Sequence, residues 1–266
     1  MDTPLRFTKM HGLGNDYLYH FGEIENPATV SIKLSERHFG IGSDGIILIE
    51  PSETADFKMR IFNADGSEAK MCGNGIRCVG KYVYDKGHTD KTELKIETLS
   101  GIKTLKLHTC GGKVDRVEVD MGKAVASEPV TLDANGQSVT LTPVNVGNPH
   151  AVIFTGDADK APVDSLGPVI EHHGFFPDGV NTEFVTVRSR TELRMRVWER
   201  GSGITMACGT GSCASVAAAV KAGYCDKNTD VSVVLDGGTL SIRVLDDGTV
   251  MMTGPAATVC ECEVYD

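Results

Sequence analysis

The sequence has little basic charge and no long apolar stretch, and both absences narrow its function. Its 266 residues carry 26 Lys and Arg against 36 Asp and Glu, which gives a formal net charge of −10 at pH 7. Because phosphate backbones and anionic lipids bind to basic surfaces, this balance argues against a nucleic-acid or membrane partner. No apolar run approaches the roughly 18 residues that span a bilayer. We therefore expect a soluble protein.

A secretion signal and an interdomain linker are also lacking. The first twelve residues include Asp2, Arg6 and Lys9 and contain no apolar core, so we expect no signal peptide and a cytoplasmic location. No Pro-rich or Ser-rich stretch marks a boundary. At about 150 residues per domain, the length fits one large domain or two smaller ones, either with a sizeable core.

Glycine and cysteine are plentiful by contrast. The 30 glycines indicate many backbone positions that need a positive φ or a close approach. The eight cysteines lie at positions 72, 78, 110, 208, 213, 225, 260 and 262. In a chain of this size without a secretion signal, they are better explained as reduced thiols, metal ligands or nucleophiles than as a disulfide scaffold.

Alternation of apolar and polar residues predicts mostly antiparallel strands. It is clearest at 57–61, 94–97, 117–119 and 193–197. Helical spacing is rarer, and it occurs at 28–38, 76–83 and 216–220. Pro27 suits the start of the first helix, and Gly87 and Gly223 suit the ends of the other two. Many strands with few helices predict an α+β fold.

The chain repeats a short motif. Cys-Gly-x-Gly occurs at 72–75 and again at 208–211, which is 208 − 72 = 136 residues later and about half the chain. Each copy follows an alternating strand and precedes a small apolar helix. We therefore predict two lobes of similar plan, each with one such turn at a helix start.

Two other glycine motifs resemble phosphate loops without the required context. The sequence from Gly209 to Ala214 matches G-x-G-x-x-A, but residues 199–207 separate it from the preceding strand, and the surroundings are antiparallel. The sequence from Gly75 to Lys81 matches G-x-x-x-x-G-K, but a tyrosine follows where Mg²⁺ binding needs a hydroxyl-bearing Ser or Thr. Neither motif predicts a nucleotide site.

Metal binding fits the cysteine spacing poorly. Structural zinc sites pair their ligands at C-x₂₋₄-C spacing. The intervening residues number five between Cys72 and Cys78, four between Cys208 and Cys213, and one between Cys260 and Cys262. The second pair would lie on one helix and point to different faces. We therefore expect no metal site.

Cys72 and Cys208 are the better candidates for chemistry. Each precedes Gly-x-Gly at a helix start, where free N–H groups and the helix dipole stabilise a thiolate and bind an anion. Two such thiols facing each other across a cleft suit the inversion of a stereocentre, because one removes a proton and the other returns one. Cys78 and Cys213 are instead expected to pack in the core.

Eight segments closely resemble the diaminopimelate epimerase family. They are KMHGLGNDY at 9–17, RHFGIGSD at 37–44, FNADG at 62–66, MCGNGIRC at 71–78, GNPH at 147–150, VNTEF at 180–184, WERG at 198–201 and ACGTGSC at 207–213. The resemblance spans essentially the whole chain. It implies a cofactor-independent enzyme, usually a homodimer, that interconverts LL- and meso-diaminopimelate for lysine and peptidoglycan precursor synthesis.

The resemblance also implies a fold and its domain limits. The expected architecture is α+β with two pseudo-symmetric lobes, each a mostly antiparallel, barrel-like sheet around a central helix. The first lobe would cover 1–117 and be completed by a last strand at 255–266. The second would cover 118–254, and the active site would lie in the cleft between them.

Site roles follow from the same resemblance. Cys72 and Cys208 correspond to the two acid–base thiols. The reacting α-carboxylate would be held by the backbone amides of Gly73, Asn74, Gly209 and Thr210. The distal end and the orientation of the substrate would depend on Asn15, Asn63, Asn148, Asn181 and Arg200. Glu199, with the Arg200 carbonyl, suits a substrate ammonium, and His150 and Glu199 would tune the thiols' protonation.

Two positions depart from the family pattern. Gly45 stands where many members have Gln, and Ile204 stands where Glu is usual. The alternatives are therefore a related cofactor-independent racemase of another amino acid, such as histidine, or a non-catalytic amino acid-binding protein. Without the resemblance, the turn from Asn63 to Gly66 would be a plain hairpin and Asn148 a loop corner.

Overall fold

The computed structural model describes residues 4–265. In that range the strands are β1 Leu5–Gly12, β2 Asn15–Phe21, β3 Gly45–Glu50, β4 Phe57–Asn63, β5 Glu68–Ala69, β6 Glu93–Thr98, β7 Gly101–Cys110, β8 Lys113–Lys123, β9 Val125–Ala126, β10 Val130–Ala134, β11 Gln137–Asn145, β12 Pro149–Phe154, β13 Asn181–Ser189, β14 Glu192–Glu199, β15 Gly203–Ile204, β16 Val231–Leu235, β17 Gly238–Val244, β18 Thr249–Pro255 and β19 Ala257–Val264. The helices are α1 Pro27–Ser35, α2 Gly73–Asp85, α3 Val163–Glu171 and α4 Gly209–Lys221, with a 3₁₀ turn at Ala158–Lys160.

The chain divides into two compact units. The first unit runs up to Val119 and resumes at Gly254, and the second runs from Asp120 to Thr253. The sequence analysis sets the corresponding limits at 117/118 and 254/255. Among the described residues, no helix is long and apolar enough to cross a membrane.

The sheet of the first unit runs β19-β1-β2-β3-β4-β6-β7-β8, with the short β5 paired to β4. Two neighbouring pairs, β2–β3 and β4–β6, are parallel, and the other pairs are antiparallel. A parallel pair needs a crossover connection. The chain supplies α1 between β2 and β3 and α2 between β4 and β6.

The sheet of the second unit repeats this plan. Its order is β11-β12-β13-β14-β16-β17-β18, with β9 and β10 paired to β11 and β15 to β14. Here β12–β13 and β14–β16 are the parallel pairs, and α3 and α4 are their crossovers. The predicted α+β fold with two pseudo-symmetric, mostly antiparallel units is confirmed.

Each unit buries its second helix. In α2, the side chains of Ile76, Val79 and Val83 have no exposed surface. A Cβ atom on Gly80 would lie 2.9 Å from a methyl carbon of Leu107 on β7, so the glycine permits this close approach of helix and sheet. The corresponding face of α4 uses small side chains, and Ala214, Val216, Ala218 and Ala219 are buried there. These helices are the centres around which the sheets pack.

The first helix of each unit packs on another part of its sheet. In the first unit, Leu34 of α1 joins a cluster that includes Phe7, Leu18 and Ile46. In the second unit, α3 contributes to a cluster that consists of Ala134, Val139, Leu141, Ala151, Ile153, Val163, Leu166, Ile170, Val180 and Phe184. Both core clusters therefore pair a crossover helix with the strands that it connects.

Helix α1 ends at Ser35, three residues before the predicted end at 38. The next residue, Glu36, is extended, and its carboxylate accepts the N–H groups of His38 and Phe39. The chain then turns back so closely that a Cβ on Gly40 would lie 2.5 Å from a helix carbonyl oxygen. Side-chain capping of the turn replaces the last predicted helical turn.

Helix α3 is absent from the helical segments that the sequence predicts. It contains Pro168 and Gly167 in its interior, which are signals for a helix break. A Cβ on Gly167 would lie 2.5 Å from the side chain of Trp198 on β14. The glycine is therefore required by packing, and the burial of Leu166 and Ile170 outweighs the unfavourable propensity.

Candidate active site

Cys72 and Cys208 occupy equivalent backbone positions in their two units. Each is the N-cap residue of the central helix, with extended backbone angles. The Cys72 sulfur accepts the N–H of Gly75 at 3.3 Å, and the Cys208 sulfur accepts the N–H of Gly211 at 3.4 Å. This geometry satisfies one of the four N–H groups that a helix start leaves without a partner in the helix. The sequence-predicted placement at helix starts is confirmed.

The predicted carboxylate-binding amides follow directly. Gly73 and Asn74 are the first two residues of α2, and Gly209 and Thr210 are the first two of α4. Backbone N–H groups at these positions point along the helix axis, away from the helix body, and carry the positive end of the helix dipole. Each unit therefore directs the positive end of a helix dipole outward beside its thiol.

The thiol of the first unit is hydrogen-bonded to an amide side chain. Cys72 is partly exposed, and its S–H donates to the amide oxygen of Asn15 over 3.3 Å. The other end of that amide donates to Asp44 at 2.6 Å, and the same carboxylate oxygen accepts the N–H of Asp16. Asp44 thereby orients Asn15, and Asn15 orients the thiol.

A buried arginine supports the start of α2. Arg77 has no exposed surface and donates to the Gly73 carbonyl at 3.0 Å and to the side-chain oxygen of Asn74 at 3.0 Å. It also donates to the Pro255 carbonyl. A Cβ on Gly12 would lie 2.9 Å from this guanidinium. The Asn74 side chain therefore stabilises the start of the helix.

Asn63 lies at the end of β4 in the turn that the sequence also predicts. The Gly66 N–H donates to the Asn63 carbonyl at 2.9 Å, and the Asn63 side chain donates to the Ser67 hydroxyl at 3.1 Å. Beside it, Gly45 pairs with Asn63 across β3 and β4. A Cβ on Gly45 would lie 2.1 Å from the Phe62 carbonyl, so this backbone admits only glycine there.

The thiol of the second unit lies among carboxylates. Cys208 is only 3% exposed. Burial raises its pKa well above the ordinary value, and the negative charges of Glu199 and Glu183 raise it further. The hydrogen bonds with the Thr210 hydroxyl and the Gly211 amide oppose this rise without reversing it. The Cys208 thiol is therefore protonated at neutral pH.

A buried pair adjoins this thiol. Nδ1 of His150 lies 2.7 Å from Oε1 of Glu183, and neither side chain has any exposed surface. The other ring nitrogen, Nε2, lies 3.1 Å from the side-chain oxygen of Asn148. Asn148, His150 and Glu183 thus form one chain of contacts that leads from a partly exposed amide to a buried carboxylate.

Glu199 stands at the end of β14, next to Arg200. Burial raises the pKa of Glu199, while hydrogen bonds with Thr205 and Cys208 lower it. The Arg200 backbone N–H donates to the side-chain oxygen of Asn181 at 2.8 Å, and its guanidinium donates to the Asp178 carbonyl at 2.7 Å. Asn181 therefore fixes the segment that presents both charged side chains.

The structure brings several predicted residues together inside each unit. In the first, Asn15 contacts Cys72, whereas Asn63 has its side-chain contact with Ser67. In the second, Asn148 contacts His150, Asn181 contacts Arg200, and Glu199 is hydrogen-bonded with Cys208. The residues missed by the sequence analysis are Asp44, Arg77, Glu183 and Thr205. Their roles depend on contacts made after folding, which no local pattern contains.

The remaining cysteines are divided between core and surface. Cys78 and Cys213 have no exposed surface, as predicted for core packing. Cys260 and Cys262 lie on β19 with their sulfurs 3.7 Å apart. Among residues 4–265, no group of three or more His, Cys, Asp or Glu side chains is arranged to hold a metal ion.

Comparison with solved structures shows the class of fold to which the chain belongs. A PhzF-family phenazine biosynthesis protein from Bacillus anthracis matches with a TM-score of 0.79 and 15% identity over 100% of both chains. A probable proline racemase from Agrobacterium radiobacter K84 matches with a TM-score of 0.76 and 16% identity over 99% of this chain and 93% of that chain. The chain has the fold shared by these proteins.

Sequence relatives narrow the class to a family. The diaminopimelate epimerase family model matches residues 7–127 and 142–259. A diaminopimelate epimerase of Acetivibrio thermocellus is 51% identical over 279 residues, which cover 98% of each chain. One from Methanococcus maripaludis is 48% identical over 277 residues, which cover 98% of this chain and 99% of the relative. The chain belongs to the diaminopimelate epimerase family, and it is an isomerase.

Proposed function

We propose that this protein interconverts LL- and meso-2,6-diaminopimelate through two thiols, in lysine and peptidoglycan precursor synthesis. The observation that carries the proposal is the matched position of Cys72 and Cys208, each at the N-cap of a central helix. Family membership supports the choice of substrate. The active site would be formed where the two units present these helix starts to one substrate.

The helix starts would bind the reacting carboxylate. Amides of Gly73 and Asn74 from α2, and of Gly209 and Thr210 from α4, would donate to its oxygens. Negative charge spreads onto this carboxylate when the α-proton leaves, so preorganised donors stabilise the transition state more than the ground state. Such stabilisation is needed because the α-proton of an amino acid is very weakly acidic.

The two thiols would divide the work according to their surroundings. Cys208 holds its proton because it is buried beside Glu199 and Glu183, so it would act as the acid. Cys72 would act as the base once its thiol has lost the proton that it donates to Asn15. The thiolate takes the α-proton, the C–H electron pair stays on the α-carbon, and Cys208 gives its proton to the opposite face. The reverse reaction exchanges these roles.

Polar groups of both units would bind the distal end of the substrate. Asn15, Asn63, Asn148, Asn181 and Arg200 would bind and orient it, and Glu199 with the Arg200 carbonyl would accept its ammonium. His150, with Glu199, would tune the protonation of the thiols. The anchored position of Arg200 supports this role, because a preorganised guanidinium recognises a carboxylate bidentately.

We also propose a cytoplasmic homodimer that works without a cofactor. The eight cysteines are free thiols, which is typical of proteins kept in a reducing compartment. Exposed apolar side chains on β1 and β19 and beside them, Leu5, Val259 and Tyr265, support association of two copies. Light scattering of the purified protein measures the mass directly, and a mass of one chain would contradict the dimer.

Deuterium uptake tests the reaction. The protein is incubated in ²H₂O with LL-diaminopimelate, meso-diaminopimelate, histidine and proline in separate samples, and the α-hydrogens are followed by NMR. We expect the diaminopimelate isomers alone to react. With two bases, early product carries deuterium while recovered substrate keeps its proton, because the proton returned to the opposite face comes from a second thiol.

The alternatives give different results. Exchange of histidine without exchange of diaminopimelate would replace the favoured substrate and indicate a related racemase. Absence of exchange in every sample, with calorimetric binding of an amino acid, would indicate a binding protein. Equal labelling of early product and recovered substrate would indicate a single base.

A further inference from the structure

Glu183 carries a buried carboxylate that the site roles above leave without a function of its own. It lies on β13 inside five consecutive buried residues, 181–185. Its Oε1 contacts Nδ1 of His150 at 2.7 Å, and its Oε2 has no hydrogen-bond partner. A buried carboxylate oxygen without a partner is costly, so a purely structural account of this residue is incomplete.

Two contacts hold the His150 ring beside Glu183. Nδ1 faces Oε1 of Glu183 at 2.7 Å, and Nε2 faces the side-chain oxygen of Asn148 at 3.1 Å. The ring therefore fixes the position of the Glu183 carboxylate.

The carboxylate also borders the turn that holds Cys208. A Cβ atom on Gly211 would lie 2.7 Å from Oε1 of Glu183 and 3.2 Å from the Cys208 sulfur. Gly211 donates its backbone N–H to that sulfur. The absence of a side chain at this position therefore lets the carboxylate approach the first turn of α4 beside the thiol.

We propose that Glu183, paired with His150, is a positioning residue that keeps Cys208 protonated until substrate binds. The inference rests on the proposed function only in taking Cys208 as one of the two reacting thiols. The other titratable group that acts on Cys208 is Glu199 from β14. His150 from β12 acts on Glu199 and contacts Glu183, and the Thr210 hydroxyl contacts the Cys208 sulfur from its own helix. Of the two carboxylates, Glu183 alone is fully enclosed.

Alkylation of Cys208 in the substrate-free protein tests the proposal. Glu183→Gln keeps the shape of the side chain and removes its charge, so the thiol should ionise more readily. Iodoacetamide is added at pH 8.5, and fragment mass spectra separate Cys208 from Cys213 in the same tryptic peptide. We expect Cys208 to react roughly tenfold faster in the variant, which corresponds to a change of about one pH unit in its ionisation.

Matched variants distinguish the loss of the Glu183 charge from a general disturbance of the structure. Glu171→Gln neutralises another buried acid of the same unit, one that is bonded to Trp198 and Gly201, and should leave the Cys208 rate unchanged. Glu183→Asp keeps the charge and should retain most of the parent rate. Gly211→Ala adds a Cβ atom that displaces the Glu183 carboxylate without interrupting the helix. We expect the same increase in the alkylation rate of Cys208. This variant provides the test if Glu183→Gln does not fold.

Turnover supplies a second readout. The alkaline limb of the pH–rate profile should move to lower pH in Glu183→Gln by about one unit, with KM within roughly twofold because Glu183 is not placed against substrate. Equal alkylation rates in the parent, Glu183→Gln and Gly211→Ala would overturn the proposal. Faster alkylation in a protein that does not turn over diaminopimelate would support it and count against the proposed function alone.

Discussion

The amide oxygen of Asn15 lies 3.3 Å from the Cys72 sulfur, whereas the charges of Glu199 and Glu183 act on the Cys208 thiol. The two thiols share a backbone position and differ in electrostatic surroundings. The carboxylates raise the pKa of Cys208, whereas Cys72 donates its S–H to an uncharged amide.

Replacement of either thiol should stop epimerisation. Cys72→Ala and Cys208→Ala are each expected to lower kcat roughly 1,000-fold, since each removes an acid–base group. Cys213→Ala, on the same helix as Cys208, should retain activity and lose about 1 kcal/mol of unfolding free energy. Coupled assays and urea unfolding measure both effects. Turnover near the parent rate in Cys72→Ala or Cys208→Ala would rule out the two-thiol mechanism.

Arg200 should favour the binding of a substrate that carries a second carboxylate. Arg200→Lys keeps the charge but loses the planar fork, so we expect KM for diaminopimelate to rise roughly tenfold. Arg188→Lys is the matched control, because Arg188 forms an exposed ion pair with Glu192 and has no site role. Equal KM values in the two variants would show that Arg200 does not bind the distal end.

Alkaline pH should destabilise the first unit through a core thiol. Burial raises the pKa of Cys78 from 9.0 to about 11. The unfolded thiol ionises first, so stability is complete below pH 9 and declines as the pH rises toward 11, by about 2 kcal/mol in all. Urea unfolding between pH 8 and pH 10.5 measures this slope.

The slope should be smaller in Cys78→Ala and unchanged in Cys110→Ala, which removes an exposed thiol. A parent slope that survives intact in Cys78→Ala would assign the alkaline sensitivity to other groups. The loss of unfolding free energy in Cys78→Ala at pH 8 measures the effect of the truncated side chain on core packing instead.

Mild oxidation without substrate should inactivate the enzyme through a Cys72–Cys208 disulfide, if both thiols act on one carbon. The partly exposed Cys72 at its helix start would supply the attacking thiolate, because the pKa of Cys208 is raised. Cys260 and Cys262 form a competing pair, because their sulfurs are already 3.7 Å apart. A Cys260→Ser variant removes that pair, and dithiothreitol should restore activity in both proteins.

Peptide mapping distinguishes the two disulfides. Inactivation that persists in Cys260→Ser and that bound substrate slows is the expected result. Inactivation traced to Cys260 with another cysteine would remove this support for a shared site.

The helices that carry the thiols could be predicted because several signals agree at each end. For α2, Cys72 and the Gly-x-Gly sequence indicate the start, the spacing of Ile76 and Val79 indicates the buried face, and Gly87 indicates the end. For α3, local signals oppose the structure. Pro168 predicts a break, and the reason for Gly167 is a contact with Trp198, about thirty residues away in sequence, which no local pattern contains.

The residues of the candidate site also divide into those that motifs mark and those that only the folded structure shows. The thiols, the helix-start amides and His150 could be named because motifs and family resemblance mark them. Asp44 and Glu183 could not, since their roles depend on contacts made after folding: Asp44 with the Asn15 amide and Glu183 with His150 and the turn at Gly211. A buried acid can be identified from its contacts in the folded structure, and these contacts cannot be derived from the sequence alone.

The pairing of β1 with β19 has a consequence for biosynthesis. Leu5 lies opposite Val264 in this antiparallel pair, so the two strands are separated by almost the whole chain. The ribosome releases β1 early and β19 last, whereas every strand pair inside Asp120–Thr253 is complete within that contiguous stretch. The unit translated second can therefore finish folding first, and the unit translated first waits with an unfilled sheet edge until β19 emerges.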